Sequence, residues 1–260
     1  MLHKDFCTRR LAVRLDLQTT RPYLKAFTDA VMSWDFGRDT YPYALEADRE
    51  WQRRLDGNPN LWRGDVLSVA AAELEDGHLN LRLEKSDFGR YLYERTTTNR
   101  PSLVRILYVS ALVRTSDHCS VVVEMSSSTS APGLIQLPGG NVDLSDLFTG
   151  TTDDLRRAAL RELAEEVGAL SCRADPCSSL ILAVSSVSVG VLVPFLTDMT
   201  SDDVRYAFDA LVQEEPPEIS AVHLPPEWDA LDGIAPHSLH ANLGLLASWS
   251  GGEISGSQRP

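Results

Sequence analysis

Asp153 to Gly168 reads DDLRRAALRELAEEVG and carries helical periodicity. At roughly 100° per residue, Leu160, Leu163 and Val167 fall within about 60° of one another and make a core-facing stripe. Glu162, Glu165 and Glu166 fall on the other side, within about 100°. Spacings of three and four make these acids neighbours, and like charges so placed weaken a helix. They also occupy its last two turns, where the helix dipole disfavours anions. Two readings follow. One is a solvated acidic face; the other is a set of carboxylates neutralised by a divalent cation, since Mg²⁺ and Mn²⁺ prefer such oxygens. The double electrostatic cost favours the cation. Upstream, Gly139-Gly140 offers backbone that can approach a ligand closely, with carbonyls that could complete a metal site.

Around this helix the chain mixes strands and helices without regular βαβ alternation. Leu11 to Leu17, Val66 to Leu74, His78 to Leu83, Leu103 to Val113, Ser120 to Met125 and Glu218 to Leu224 read as strands. The apolar run Leu180 to Leu196, interrupted at Ser185 to Ser188, reads as two buried strands. Glu75-Asp76-Gly77 predicts a hairpin turn with positive φ. Pro22 to Trp34, Tyr43 to Leu55, Ser86 to Tyr93, Asp202 to Gln213 and Leu239 to Trp249 read as helices. Leu137 to Gly140 opens a long polar loop. This pattern predicts a mixed α/β fold with antiparallel pairs. A seam near Thr96 to Ser102 divides an N-terminal α+β extension, residues 1–100, from a second unit, residues 101–249. A Gly/Ser-rich tail, residues 250–260, is expected to be disordered.

The chain has 260 residues, 43% of them hydrophobic, which is enough for a substantial core. Lys and Arg number 24 against 37 Asp and Glu, for a net charge of −13. That balance argues against a nucleic-acid or anionic-membrane surface but permits an anionic small molecule bridged by a cation. No apolar run approaches the ~20 residues of a bilayer span. The N-terminus lacks the apolar stretch of a secretory signal, so a cytoplasmic protein is expected, with a mitochondrial presequence as the alternative. Cys7, Cys119, Cys172 and Cys177 show no paired ligand spacing and read as free thiols. His237 and His240 fit capping or surface roles rather than zinc.

The segment Arg161-Glu162-Leu163-Ala164-Glu165-Glu166-Val167-Gly168-Ala169, with the lead-in Leu137-Pro138-Gly139-Gly140, resembles the signature of the Nudix hydrolases. That signature is Gly, five residues, Glu, seven residues, then Arg-Glu-apolar-x-Glu-Glu-x-Gly-apolar. Two departures stand out. The early Glu is Asp153, and Gly140 to Arg161 spans 21 positions against 14, so about 7 residues are added within Asn141 to Thr152. The resemblance implies an α/β/α sandwich and Mg²⁺- or Mn²⁺-dependent hydrolysis of a nucleoside diphosphate linked to another group. It implies metal ligation by Glu162, Glu165 and Glu166, with help from a carbonyl near Gly140. It also implies a structural ion pair from Arg161 to Asp153, or to Asp154 in its place. A base to activate water would come from the helix glutamates or from a downstream loop, where Glu218, Glu214 and Glu215 are candidates.

A second resemblance lies outside this box. Trp51 to Val66, WQRRLDGNPNLWRGDV, is similar to a branch that hydrolyses UDP-glucose and UDP-galactose to UMP and sugar 1-phosphate. Leu81 to Tyr91, Thr96 to Asn99, Glu227-Trp228 and Leu243 to Leu246 add to the likeness. Under that reading Trp62 or Tyr91 could stack on uracil, and Arg63, Arg82, Lys85 or Arg90 could meet phosphate or sugar. The expected partner is a nucleoside diphosphate sugar, with neither nucleic acid nor membrane; the oligomeric state stays open. Alternatives are ADP-ribose or a dinucleotide as substrate, or a Nudix-fold binding module without catalysis. An RNA cap is disfavoured by the charge.

Overall fold

A computed structural model describes residues 13–226, apart from 16, 18–21, 37–40, 98 and 212–216. The strands are β1 (Val13–Arg14), β2 (Tyr23–Phe27), β3 (Asp29–Trp34), β4 (Asp65–Glu75), β5 (His78–Asp87), β6 (Ile106–Arg114), β7 (Val122–Met125), β8 (Ile135–Gln136), β9 (Gly139–Asn141), β10 (Ala174–Pro176), β11 (Leu180–Val184), β12 (Ser188–Thr197) and β13 (Ile219–His223). The helices are α1 (Ala44–Gly57), α2 (Phe88–Thr96), α3 (Thr152–Val167) and α4 (Ser201–Asp209). Short 3₁₀ turns cover Leu144–Asp146 and Gly168–Arg173. The expected terminal helix, the tail, Glu214, Glu215 and the Glu227-Trp228 and Leu243–Leu246 segments lie outside the described residues.

The main sheet has ten strands in the order β2-β11-β12-β6-β4-β5-β3, with β1 beside β4, β10 beside β12 and β9 beside β6. It is mixed: β12 runs parallel to β6 and β3 parallel to β5, while the other pairs are antiparallel. Strands from both sides of Pro101 therefore share one sheet. They meet at Ser68 and Ile106, beside a backbone hydrogen bond from Val69 to Arg105. A small sheet, β13-β7-β8, lies apart.

Side chains alternate across a strand, so each central strand serves two faces. Leu107, Val109 and Ala111 of β6 share one buried cluster with Val189, Val191 and Val193 of β12 and with Leu155, Leu163 and Val167 of α3. Leu112 and Leu192 point the other way and pack with Val122, Ile135 and Leu137 from the small sheet and its exit. Burial on both faces explains why β11 and β12 read as an almost unbroken apolar run. The β4–β5 hairpin turns through Asp76 and Gly77, with φ of 46° and 82°, as the Asp-Gly pair predicts.

The expected helix from Pro22 to Trp34 is instead the two strands β2 and β3. Along β3, Ala30 and Met32 are buried while Asp29, Val31 and Ser33 are exposed, a period of two, and Phe27 is buried at the end of β2. β2 pairs with β11 and β3 with β5, so the edge hydrogen-bonding groups of both neighbours are satisfied. Tertiary pairing overrides a local pattern of helical appearance. Gly139–Asn141, expected in a loop, is a short strand on β6, with Gly140 opposite Val109. Cys119 and Cys177 are free thiols. Among the described residues no helix is long and apolar enough to cross a membrane.

Candidate active site

The site begins at the N-terminus of α3. Thr151 caps the helix by accepting from the Asp153 amide. Buried Asp154 accepts from the amides of Phe148, Thr149 and Gly150 at 3.0, 2.9 and 2.7 Å and from Arg157 at 2.6 Å. Burial pushes its carboxyl upward, but Arg157 and these N–H groups prevail and hold it below the usual range. Asp154 thus fixes the turn that delivers α3 onto β6 and β9. The helix stops at Gly168, whose φ of 69° suits glycine.

Two turns along, the carboxylates gather. Glu166 is 4% exposed and accepts from the Gly139 amide at 2.8 Å. Glu162 is largely buried against Gly140; a Cβ built on that glycine would lie 2.5 Å from Glu162 Oε2. Glu165 reaches outward. Glu218, just before β13, faces the same acids. Burial, opposed by Arg161 and reinforced by Glu165 and Glu218, pushes the Glu162 carboxyl up to about 7. Burial and then Glu162 push Glu166 well above its ordinary value. Burial and then Glu165 push Glu218 up. A solvated acidic face would show none of this. Glu162 and Glu166 are thus withdrawn from water, whereas Glu165 stays exposed.

Arg161 does not pair with Asp153. It meets Asp146 at 3.0 Å, Glu162 at 2.9 Å and Glu165 at 3.1 Å. Asp153 is 75% exposed at its side chain and pairs with Arg156 one turn along. The reason is position: Asp153 lies on an outward face at the helix start, whereas Asp146 arrives on the 3₁₀ turn of the lengthened loop. Asp154 does not substitute either, being committed to Arg157 and the turn amides. Neither Asp146 nor the anchoring role of Asp154 was legible in the spacing, because an added loop has no fixed register.

Glu162, Glu165, Glu218 and Gly140 line a cleft of about 670 Å³, while buried Glu166 is not part of its lining. The same cleft is lined by Trp62, Phe88, Tyr91 and Arg95. Of the expected substrate contacts, Trp62 and Tyr91 are thus at the cleft, Trp62 65% exposed. Arg63 is not. It pairs with Asp48 and Asp87 at 2.8 Å each and rests on the Trp51 ring, tying α1 to the start of α2. Arg82 is not there either; it is exposed on β5 near Glu84. Lys85 and Arg90 line a different cavity, beside Asp65 and Asp87. Phe88 and Arg95 escaped notice although they share a helical face with Tyr91.

Glu218 is held from behind. Ser126 donates its amide to the Glu218 carbonyl at 2.8 Å, and Ser128 Oγ donates to the Pro217 carbonyl at 2.9 Å. Asn58 Nδ2 in turn donates to the carbonyls of Ser128 and Thr129 at 3.0 and 3.1 Å. The Asn58-Pro59 turn, which also leads to Trp62, is thereby linked to the loop that carries Glu218.

No protein-family model and no curated protein matches the sequence. Solved structures do resemble it. The Nudix domain of NrtR from Shewanella oneidensis, complexed with ADP ribose, is 20% identical, with a TM-score of 0.39 over 60% of this chain and 93% of that one. The MutT protein of Methanosarcina mazei Go1 is 16% identical, with a TM-score of 0.38 over 58% and 95%. DR0079 of Deinococcus radiodurans is 17% identical, with a TM-score of 0.42 over 72% and 98%. Scores of this size carry no assignment, and the functional reading rests on the residues of the cleft.

Those residues suit a hard divalent cation in charge and in atom type. Among the described residues, no three acidic, imidazole or thiol side chains already converge as a ligand group. The acids are occupied elsewhere: Glu165 with Arg161 and Glu166 with the Gly139 amide. Yet several carboxyls, mutually repelling and largely shielded from water, share one guanidinium. Such a set is stabilised by any group that adds positive charge and accepts oxygen ligands.

Proposed function

We propose that this chain is a Nudix-type, Mg²⁺- or Mn²⁺-dependent hydrolase of a nucleoside diphosphate sugar, with UDP-glucose or UDP-galactose as substrate. Water would add at one phosphorus and the bridging P–O–P bond would break, leaving UMP and sugar 1-phosphate. The observation that carries this reading is the cleft itself, whose lining brings together carboxylates of α3, Glu218 and the aromatic rings of Trp62, Phe88 and Tyr91.

A bound divalent cation would offset the charge of the pyrophosphate and make a coordinated water more acidic. Glu162, Glu165 and Glu166 would hold it, with backbone at Gly140 close by. Glu218 is the residue we assign to accept the proton from the attacking water. Burial and Glu165 raise its carboxyl, which makes it a better proton acceptor than an ordinary glutamate. Arg161 limits the repulsion between Glu162 and Glu165 while the site is formed. Trp62 and Tyr91 would receive the nucleoside by stacking.

The test is a screen of purified protein with Mg²⁺ and with Mn²⁺ against UDP-glucose, UDP-galactose, ADP-ribose, diadenosine polyphosphates and capped RNA, with products resolved by chromatography. Preferential release of UMP from a UDP-sugar is expected. Preference for ADP-ribose would keep the hydrolase and replace the substrate. No cleavage of any compound would leave a binding module.

A further inference from the structure

The part of the cleft formed by α2 has a composition that neither the metal site nor simple stacking explains. Phe88, Tyr91 and Arg95 are spaced three and four apart on α2 and share one helical face. Leu92, about 40° round the helix from Phe88, is fully buried. The rings of Phe88 and Tyr91 stand 5.5 Å apart and tilted by 43°. The Arg95 guanidinium carbon sits 5.7 Å from the centre of the Tyr91 ring. Arg95 is the single basic side chain among the described residues that line the cleft. No described carboxylate pairs with it, although the protein carries a net charge of −13. Arg161, Arg63, Arg100 and Arg157, by contrast, are each spent on acids.

We propose that Arg95 selects the nucleobase, favouring bases whose edge offers carbonyl oxygens, uracil above all, over adenine. This rests on the reading of the cleft as a nucleotide site. Arginine has five N–H donors in a rigid fork and no acceptor. Uracil presents carbonyl oxygens on both sides of its ring nitrogen and can satisfy donors there. Adenine presents an amino group, itself a donor, on the corresponding edge. A guanidinium lying against Tyr91 is close to where a base stacked on that ring would project its edge. Its planar fork is held by the ring and hydroxyl of Tyr91 rather than by an acid, so it keeps its remaining donors for the ligand. The acids line the same cleft, so a phosphate held near them and a base near Arg95 would share it. A cleft of about 670 Å³ lies within the usual range for such ligands.

The experiment is titration calorimetry of the full chain in Mg²⁺ buffer with UMP and AMP as probes, for the natural protein, Arg95→Met and Arg95→Lys. Methionine keeps an unbranched stem without donors. Lysine keeps the charge without the fork. UMP should bind the natural protein about tenfold more tightly than AMP, as for one charge-assisted hydrogen bond. Arg95→Met should bring that ratio close to one, chiefly by weakening UMP, and Arg95→Lys should not restore it. Equal weakening of UMP and AMP in Arg95→Met, rescued by lysine, would make Arg95 a phosphate contact and overturn the proposal. An unchanged ratio, or tighter AMP in the natural protein, would also overturn it. If a UDP-sugar is still hydrolysed in those cases, the proposed function survives and only the base-selecting role falls. If neither nucleotide binds and nothing is hydrolysed, both fall.

Discussion

Arg161 Nη2 lies 3.0 Å from Asp146 Oδ2, and Asp146 belongs to the very stretch that lengthens the loop between Gly140 and α3. The Asp146 carboxylate also accepts from the Asp143 amide at 2.9 Å, which closes the 3₁₀ turn. One side chain therefore shapes the inserted loop and holds the arginine that bridges Glu162 and Glu165. The added residues are a structural part of the acidic site rather than a decoration beside it.

This relationship separates two substitutions that sequence spacing would rank the other way. The Asp146 side chain is 6% exposed, so Asp146→Ala removes a nearly buried partner and leaves Arg161 pulled further onto the glutamates. We expect a loss of about 2 kcal/mol, below the range for a fully buried pair because Arg161 is partly solvated. Asp153→Ala should cost less than about 0.5 kcal/mol, as for an exposed pair. Urea unfolding of both variants provides the comparison. Equal losses would mean that Asp153, not Asp146, carries the structural ion pair.

The contrast shows what the sequence held. The acids of α3 were legible because helical geometry fixes where residues three and four apart must point. The Asp76-Gly77 turn was legible because few residues accept positive φ. The partner of Arg161 was not, since a loop of altered length brings residues from no predictable register. Pro22 to Trp34 misled because its strands gain their hydrogen bonds from β11 and β5, far away in sequence. Arg63 misled for a related reason: its acids, Asp48 and Asp87, lie on separate elements that only folding brings together. Of the candidates for substrate contact, those with aromatic rings lie at the cleft, while Arg63 and Arg82 were claimed by nearby carboxylates or by solvent.

Gly139 and Gly140 adjoin in sequence but should fail differently. A Cβ on Gly139 would come 2.2 Å from the Val109 carbonyl oxygen, which belongs to β6 and cannot withdraw cheaply. Gly139→Ala should therefore destabilise the sheet, by about 2 kcal/mol or more. A Cβ on Gly140 would first meet the carboxylate end of Glu162, which can swing aside. Gly140→Ala should fold with nearly the natural melting temperature and yet need at least tenfold more Mg²⁺ for half-maximal activity. Thermal melting paired with a metal titration distinguishes the two. Unchanged metal dependence in Gly140→Ala would detach Glu162 from the metal site.

The raised carboxyl of Glu162 has a definite consequence for pH. Its value of about 7 in the fold stands above the ordinary 4.5, so between those limits the folded chain holds a proton that the unfolded chain has released. Its contribution to metal-free stability is thus full below about pH 4.5 and is lost as pH rises towards about 7. Metal binding needs the carboxylate and so runs the opposite way. The rise in melting temperature on adding MgCl₂ should grow across this interval and level off above it. In Glu162→Gln both the pH dependence of the metal-free protein and the metal-induced rise should shrink. A metal-induced rise that ignores pH would remove Glu162 from the ligands.

Glu166 joins stability and function in one side chain. It is buried, its carboxyl is pushed well above the ordinary value by desolvation and by Glu162, and it accepts a hydrogen bond from the Gly139 amide. Glutamine has the same shape and can accept that amide through its carbonyl oxygen, so Glu166→Gln should keep the fold. Removing a buried ionisable group among like charges should raise the melting temperature of the metal-free protein at pH 8. Turnover should nevertheless fall on the order of a hundredfold or more, since the charge that would hold the cation is gone. Circular dichroism melting and steady-state kinetics on the same preparation test both halves. Gain of stability with loss of activity is what an electrostatic site predicts, because its charges are gathered against the preference of the fold. Loss of both would make Glu166 a structural acid, and loss of neither would sink the metal assignment.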